Sequence, residues 1–582
     1  MEARRTGLDW TLPPERAALL VRGDERPFAL TGAWAGGGAL VGSDPVRLAG
    51  PGEDPFALLE LDAVQGPGVH GGWVGWLGYR LGGRVERLDP SPPRPHPLPD
   101  FQLAFYDHLL RLDADGRWWF ECLWTPERAD ALAAREAELR ERAAEPRPFT
   151  TGPWSSVPGT GGHELAVAAA RERIHAGDLF QANVCLRLES ALEGDPLDLF
   201  AAGVAALAPD RAAFVGGPDG TAVASLSPEL FLERRGRRVR TAPIKGTRPR
   251  SVDPAELETS AKDRAENTMI VDLMRNDLGR VCQPGSVTVD ALAQARPHAG
   301  VWHLVSEVSG ELRAGAADAD LVRACFPPGS VTGAPKIAAQ NVIAEVESTG
   351  REVYTGALGF ASPAAGLELS VAIRTFEFAA DRAWLGVGGG VVADSDPAAE
   401  ARECAVKAAP LLEAIGARGR FASDGRHDRP RMVRRGPEPT PRPDPEIGVF
   451  TTLMVRDGLA LAAPANLARL GDSVTELYGA SLPGDLADRI EQAAAAHPGP
   501  GRMRVTYVPG SAEPAAIVVK TFEPRRGPAT LVPVMVPGGI GAHKWADRRL
   551  LDALRDDVAP ALPLLVDLDG LVLESWGANV FA

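Results

Sequence analysis

"TAPIKGTRPRSVDP" (residues 241–254) holds one lysine and two arginines, in a chain whose 62 basic residues include only six lysines: Lys245, Lys262, Lys336, Lys407, Lys520 and Lys544. Arginine serves wherever a solvated positive charge suffices. A lysine amine can also lose its proton, attack carbon or form a Schiff base, which a guanidinium cannot do at neutral pH. The six lysines are therefore the first places to look for chemistry, and Lys245 is the first of them.

The length of 582 residues exceeds what one core organises, so two or more domains are expected. No run of about 18 apolar residues is present that could cross a bilayer. The start, "MEARRTGLDWTLPPERAALL", lacks the apolar segment of a signal peptide, so a cytoplasmic location is expected. The five cysteines (Cys122, Cys185, Cys282, Cys325, Cys404) are scattered without CxxC spacing, which argues against a disulfide framework and against a zinc site. A net charge of −15 disfavours nucleic acid as a partner, and nothing points to a membrane. The composition is that of an enzyme for small molecules.

Residues 1–150 alternate short apolar runs with Gly and Pro turns, as in "GGWVGWLGYRLGG" (71–83), and read as strand-rich. A helix is expected over 128–145 and a loop over 146–162; 151–419 reads as the catalytic domain, dense in motifs from 163. The polar, Pro-rich stretch 420–446 reads as a linker. A second domain, 447–582, then opens with a strand, an Asp457-Gly458 turn, a strand and a Pro-started amphipathic helix over 464–480.

In "SAKDRAENTMIVDLMRNDLGR" (260–280) apolar residues recur at helical spacing, with Asp263 and Glu266 three apart on one face. "SDPAAEARECAVKAAPLLEAIG" (395–416) carries Glu400, Glu403 and Lys407 on one stripe, with Pro397 in the first turn and Gly416 as C-cap. Carboxylates without His or Cys suit a hard cation such as Mg²⁺; a pair of solvated acidic faces is the alternative. "CFPPGSVTGAPK" (325–336), with Pro335 in a first helical turn, and "LGVGGGVVADSD" (385–396) offer backbone N–H groups to an anion, though neither completes a P-loop or a GxGxxG fingerprint.

Taken together, "GDLFQANVCLR", "SLSPELFL", "PIKGTRPR", "SAKDRAENTMIVDLMRNDLGRVC", "HLVSEVSGEL", "PPGSVTGAPK", "YTGALGF", "VAIRTF" and "GGGVVADSDPAAEARE" resemble the chorismate-utilising enzymes, closely over residues 163–416. Residues 1–150 look like the variable N-terminal part of the same fold. The resemblance implies an α/β fold, an α+β sandwich of two sheets with helices outside, acting on chorismate with Mg²⁺. Members that use water carry lysine where this chain has Gln181, so ammonia is the implied nucleophile. Anthranilate-forming members carry alanine where this chain has Lys245, whereas aminodeoxychorismate-forming members carry a nucleophilic lysine there. The implied reaction makes 4-amino-4-deoxychorismate, a precursor of 4-aminobenzoate; an anthranilate synthase component or a non-catalytic regulatory paralogue are the alternatives. By the same resemblance Glu229 is the general acid, and Glu266, Glu400 and Glu403 hold Mg²⁺ with Asp263 nearby. Arg374, Tyr354, Thr332, Lys407 and the amides of Gly389 and Gly390 would bind the substrate carboxylates, with His303 in the pocket. Lys262 and Lys336 would serve structure or charge balance. None of the five cysteines lies in the G-x-C-x-G turn of a glutaminase, so ammonia is expected from a separate glutamine amidotransferase subunit.

In the second domain "VFTTLMVRDG", "NLARL", "GGIGAHKWADRRLLDAL" and "LLVDLDGLVLESWGANVFA" resemble the fold-type IV pyridoxal-phosphate enzymes, aminodeoxychorismate lyase among them. That implies an aminotransferase-like α+β domain in which Lys544 forms the cofactor's Schiff base, Arg469 meets its phosphate and Glu574 pairs with its pyridine nitrogen. Asn466 stands where that family has His. Further elements follow "ANVF" there, so the domain as given is expected to be incomplete, with the synthase reaction outrunning any lyase step.

Overall fold

The computed structural model describes residues 1–92, 98–298, 301–417, 443–522, 531–535, 543–558, 562–566 and 572–575. Two compact units emerge, Met1–Gly425 and Arg426–Ala582.

In the first unit the N-terminal residues complete sheets built mainly by the later chain. Strand Phe28–Gly32 pairs antiparallel with Arg211–Gly216, and Gly72–Leu77 with Ala357–Ser362. One sheet has thirteen described strands, with Gln181–Glu193, Arg382–Val391, Thr375–Ala379 and Ala222–Ser227 at its heart. The other has ten, with Ile244–Pro249 at one edge. Three apolar clusters separate the layers. Phe28, Leu30 and Leu40 of the first sheet, with Trp34 from the turn between two of its strands, pack against Val74, Trp76, Tyr106, Leu358 and Phe360 of the second. Helices Pro196–Leu207 and Pro397–Ala414 contribute Leu197, Phe200, Leu411 and Leu412 to the outer face of the first sheet. Helices Ala261–Gly279 and Asp318–Cys325 do the same for the second, through Ile270, Met274, Leu278, Leu321 and Val322. The unit is a helix–sheet–sheet–helix sandwich, in which each amphipathic helix finds a sheet face to cover.

Two local expectations change. The 146–162 loop contains strands Thr150–Thr151 and Ser155–Val157, which pair with the far end of Gln181–Glu193, because an open sheet edge there would leave buried backbone groups unmet. Pro335 is not in the first helical turn: its ψ of 145° puts it at the N-cap of Lys336–Val346. Just before it, Gly333–Ala334 joins the sheet opposite Gln181–Ala182, so this segment spends backbone groups on a ladder rather than aiming them at an anion.

The second unit begins with Val449–Arg456 and Leu459–Ala460, joined at Asp457 and Gly458, both at positive φ (52° and 74°) as a tight hairpin turn requires. Gly501–Tyr507 and Ala515–Thr521 extend this sheet, and helices Ala463–Tyr478 and Leu486–Ala495 bury Leu470, Val474 and Ile490 against Val449, Leu453 and Val505. Leu531–Met535, Leu562–Val566 and Val572–Ser575 form a second small sheet, to which helix Arg549–Val558 adds Leu550, Leu551 and Leu554. Of the expected linker 420–446, residues 420–442 lie outside the described residues. Among the described residues no helix is long and apolar enough to cross a membrane.

Candidate active site

Lys245 is the second residue of the edge strand Ile244–Pro249, and its ammonium donates to the carbonyl of Ser330 at 2.8 Å. Burial of the amine pushes its pKa below the usual lysine value, against the pull of Glu266 and Glu229. Glu229 lies in the turn between Ala222–Ser227 and Leu230–Arg235, and is only 3 % exposed. Burial raises its carboxyl to about 7, outweighing the Ser330 side chain, the Ile244 N–H and the charges of Lys245 and Arg374. A carboxyl poised at neutral pH thus stands beside an amine made easier to deprotonate. Ser330 touches both.

The strand Arg382–Val391 supplies the floor. A Cβ on Gly390 would fall 2.2 Å from Gln181 Nε2 and 3.7 Å from Lys245 Nζ. One on Gly386 would fall 2.3 Å from the Tyr354 ring, and one on Gly388 2.5 Å from Cys185 Sγ. Alternate residues of this strand share a face, so its bare backbone seats Tyr354, Cys185, Gln181 and Lys245 along one line. Gln181 is 1 % exposed, and its Oε1 has no hydrogen-bond partner among the described residues. A buried acceptor left open costs stability and is what a ligand N–H would satisfy.

The opposite face of the same strand meets helix Pro397–Ala414. A Cβ on Gly389 would lie 3.0 Å from Glu400 Oε2, 3.7 Å from Lys407 Nζ and 3.9 Å from Glu403 Oε1. Lys407 donates to the Gly388 carbonyl at 2.9 Å and pairs with Glu403 at 2.8 Å. Glu266 sits 3.9 Å from Lys262. Burial, reinforced by neighbouring carboxylates, raises the pKa of both Glu266 and Glu400, whereas Lys407 overcomes burial to lower that of Glu403. Asp263 is committed to Arg248 at 2.8 Å. Among the described residues no three His, Cys, Asp or Glu side chains close on one point as a metal cage. Glu266 and Glu400, each raised in part by Glu403, nonetheless fit Mg²⁺, which takes one or two protein carboxylates and leaves its other positions to water and substrate.

Arg374 has φ of +50°, a strained value for a side-chain-bearing residue, and donates to His303 Nε2 at 3.2 Å. His303 reaches Thr247 Oγ1 through Nδ1 at 2.8 Å. Burial, then Arg374 and His298, push its pKa down to about 3, so the ring is neutral. The Thr332 hydroxyl donates to Pro328 and Gly329 carbonyls within its own turn.

The structure thus brings Lys245, Glu229, Gln181, Gly390, Tyr354, Arg374 and His303 together, and gathers Glu400, Glu403, Lys407 and Gly389 across the glycine strand. Sequence reading placed Ser330 only in a stretch offering backbone N–H groups to an anion, and missed its contacts with Lys245 and Glu229, as well as Thr247 and the buried pair Glu347–Arg351. Ser330 and Thr247 lie inside quoted motifs, but nothing in their spacing shows that they touch the acid or the histidine. In the second unit Arg469 donates to Asn466 Oδ1 at 2.7 Å and to Thr451 Oγ1 at 3.2 Å, and the Lys544 carbonyl accepts from Phe450 N at 2.8 Å. Both residues therefore dock on Val449–Arg456. Glu574 lies in strand Val572–Ser575, opposite Leu565; its side chain is outside the described residues.

A family model described as chorismate binding enzyme matches residues 52–413. Anthranilate synthase component 1 of Streptomyces coelicolor is 38 % identical over 449 residues, covering 70 % of this chain and 87 % of that protein. Aminodeoxychorismate synthase component 1 of Klebsiella aerogenes is 38 % identical over 353 residues, 59 % of this chain and 77 % of that protein. Among solved structures, anthranilate synthase component I of Streptococcus pneumoniae superposes with a TM-score of 0.57 at 24 % identity, covering 71 % of this chain and 92 % of that one, a likeness of fold.

Proposed function

The chain belongs to the chorismate-binding enzymes, and from that premise we propose that its first unit converts chorismate and ammonia to 4-amino-4-deoxychorismate. The observation that carries this reading is the pairing of Lys245, a buried amine, with Glu229, a carboxyl raised to about 7, across Ser330. The neutral Lys245 amine attacks ring carbon 2, both ring double bonds shift, and the 4-hydroxyl leaves as water with the proton of Glu229. Ammonia then adds at carbon 4, both double bonds return, Lys245 leaves as the neutral amine, and the added nitrogen gives a proton back to the Glu229 carboxylate. Gln181 offers its open Oε1 to an ammonia N–H. Arg374, Tyr354, Lys407 and the amides of Gly389 and Gly390 bind the carboxylates, with His303 holding Arg374, whereas the Thr332 hydroxyl is spent within its own turn. Glu266, Glu400 and Glu403 would hold Mg²⁺, with Asp263 beside them; the ion, when bound, neutralises a substrate carboxylate.

Ammonia comes from a separate glutaminase subunit, a reading supported by the "component 1" names of the relatives. In the second unit Lys544, Arg469 and Glu574 would hold pyridoxal phosphate, which supplies an electron sink when bound; the docking of Arg469 and Lys544 on one strand suits that role.

The test is product identity. Purified protein with chorismate, Mg²⁺ and ammonium salt should yield 4-amino-4-deoxychorismate by chromatography. Anthranilate as sole product would overturn the reading and favour the other named relative's reaction. The chain alone should not hydrolyse glutamine.

A further inference from the structure

Strand Gln181–Glu193 has a gap on one side. Gly333–Ala334 pairs with residues 181–182 and Ser155–Val157 with 187–189, so among the described residues no strand faces 183–186 there. Three groups fill the gap: the Thr332 carbonyl accepts from Asn183 N at 2.7 Å, Glu347 Oε1 accepts from Cys185 N at 2.8 Å, and Arg351 Nη2 donates to the Asn183 carbonyl at 2.5 Å.

Arg351 spends every donor it has. Nε and Nη2 bind Glu347 at 3.0 and 2.6 Å, and Nη1 meets the Val331 carbonyl at 2.9 Å and Thr355 Oγ1 at 3.3 Å. The Tyr79 ring lies 4.7 Å from its guanidinium carbon. One buried cation thereby ties together three segments that carry the site. Asn183 is two residues from Gln181. Val331 follows Ser330, whose carbonyl holds Lys245. Thr355, a β-branched residue at φ of +66°, follows Tyr354.

We propose that Arg351, clamped by Glu347, is a positioning residue that substitutes side-chain hydrogen bonds for the missing strand and thereby sets where Gln181, the Ser330 carbonyl and Tyr354 stand around the substrate. A lysine there keeps the charge but has neither the planar fork nor five donors, so at most part of the three-way tie survives. Displacements of about 1 Å at reacting groups cost on the order of 100-fold in rate. The inference rests on the amination reading for its kinetic consequence and on the geometry alone for its structural one, and the two are measured separately.

Arg351→Lys and Glu347→Gln are compared with the unaltered protein in ammonium-dependent turnover and in amide hydrogen exchange over residues 181–186. Loss of folded protein lowers kcat and leaves KM alone, whereas displacement of Gln181 raises KM for ammonium. The expected result is a rise in that KM of about fivefold or more with a fall in kcat of about tenfold or more, and faster exchange at Asn183 and Cys185 than at 188–192. An unchanged KM for ammonium with unchanged local exchange overturns the inference. If Arg351→Lys does not fold, Glu347→Gln decides by the same two readouts. If the unaltered protein makes no aminated product, the functional reading fails by itself, and the exchange pattern still upholds or overturns the gap-filling role.

Discussion

Arg374 Nη2 lies 3.2 Å from His303 Nε2, and because a guanidinium only donates, the imidazole accepts there and carries its proton on Nδ1, toward Thr247 Oγ1. The tautomer is set by the arginine. Protonating the second nitrogen would turn this hydrogen bond into a clash of two donors, consistent with a pKa pushed down to about 3. The unfolded chain binds that proton near 6.5, the native protein only near 3, so stability due to this group is complete above about pH 6.5 and is lost as pH falls toward 3. Urea midpoints of the unaltered protein should fall over that window, with a slope of up to about 1.4 kcal/mol per pH unit from this group. His303→Gln should flatten the dependence.

Glu229 has the opposite sign. Its folded carboxyl holds a proton to about pH 7, so as a general acid it should give a turnover profile that declines above about 7. Glu229→Gln should lose about 10²–10⁴-fold in kcat and show no such decline. Retention of the decline in that variant would assign it to another group.

Lys245→Arg keeps a positive charge beside Ser330 but cannot lose its proton. Turnover should fall at least as far as in Lys245→Ala, and intact-mass spectrometry during turnover should detect a substrate adduct in the unaltered protein alone. Equal rates in all three would rule out the covalent role.

Mg²⁺ binding is measurable without turnover. Calorimetric titration should show roughly tenfold weaker binding for Glu400→Gln and Glu266→Gln, since each removes one of the few carboxylates such a site uses. Chelation should stop turnover reversibly.

Lys336 answers a different need from Lys245. Its ammonium pairs with Asp277 at 2.6 Å and with the Cys325 carbonyl at 2.6 Å, both partners buried. Lys336→Met leaves a buried carboxylate unpaired and should cost about 3–5 kcal/mol in chemical denaturation. The double variant Lys336→Met, Asp277→Leu should recover most of that loss.

Lys245 and the acidic helix faces stood out from residue type and helical spacing, whereas the sandwich and Glu229 were legible only through the resemblance of the ordered motifs to the chorismate-utilising enzymes. Helical spacing placed Glu400, Glu403 and Lys407 on one stripe, and they share one face in the structure. Asp457-Gly458 was legible for a similar reason: turn chemistry is local. Pro335 was misplaced because its ψ answers to a strand pairing with residues 181–182, which are about 150 positions away.

No local pattern could show that Ser330 touches both Glu229 and Lys245, that Arg374 dictates the tautomer of His303, or that Glu347 and Arg351 plug a sheet. As sequence, a Glu and an Arg four apart read as an ordinary exposed helix pair. Burial turns them into a clamp, and burial is a property of the packed chain. Desolvation raises Glu229 and lowers Lys245 only once the two sheets, the 329–331 turn and the glycine strand have closed around them. Residue identity determined which chemistry this chain can perform. Long-range packing decided which groups are paired, which are left open and at what pH each changes charge.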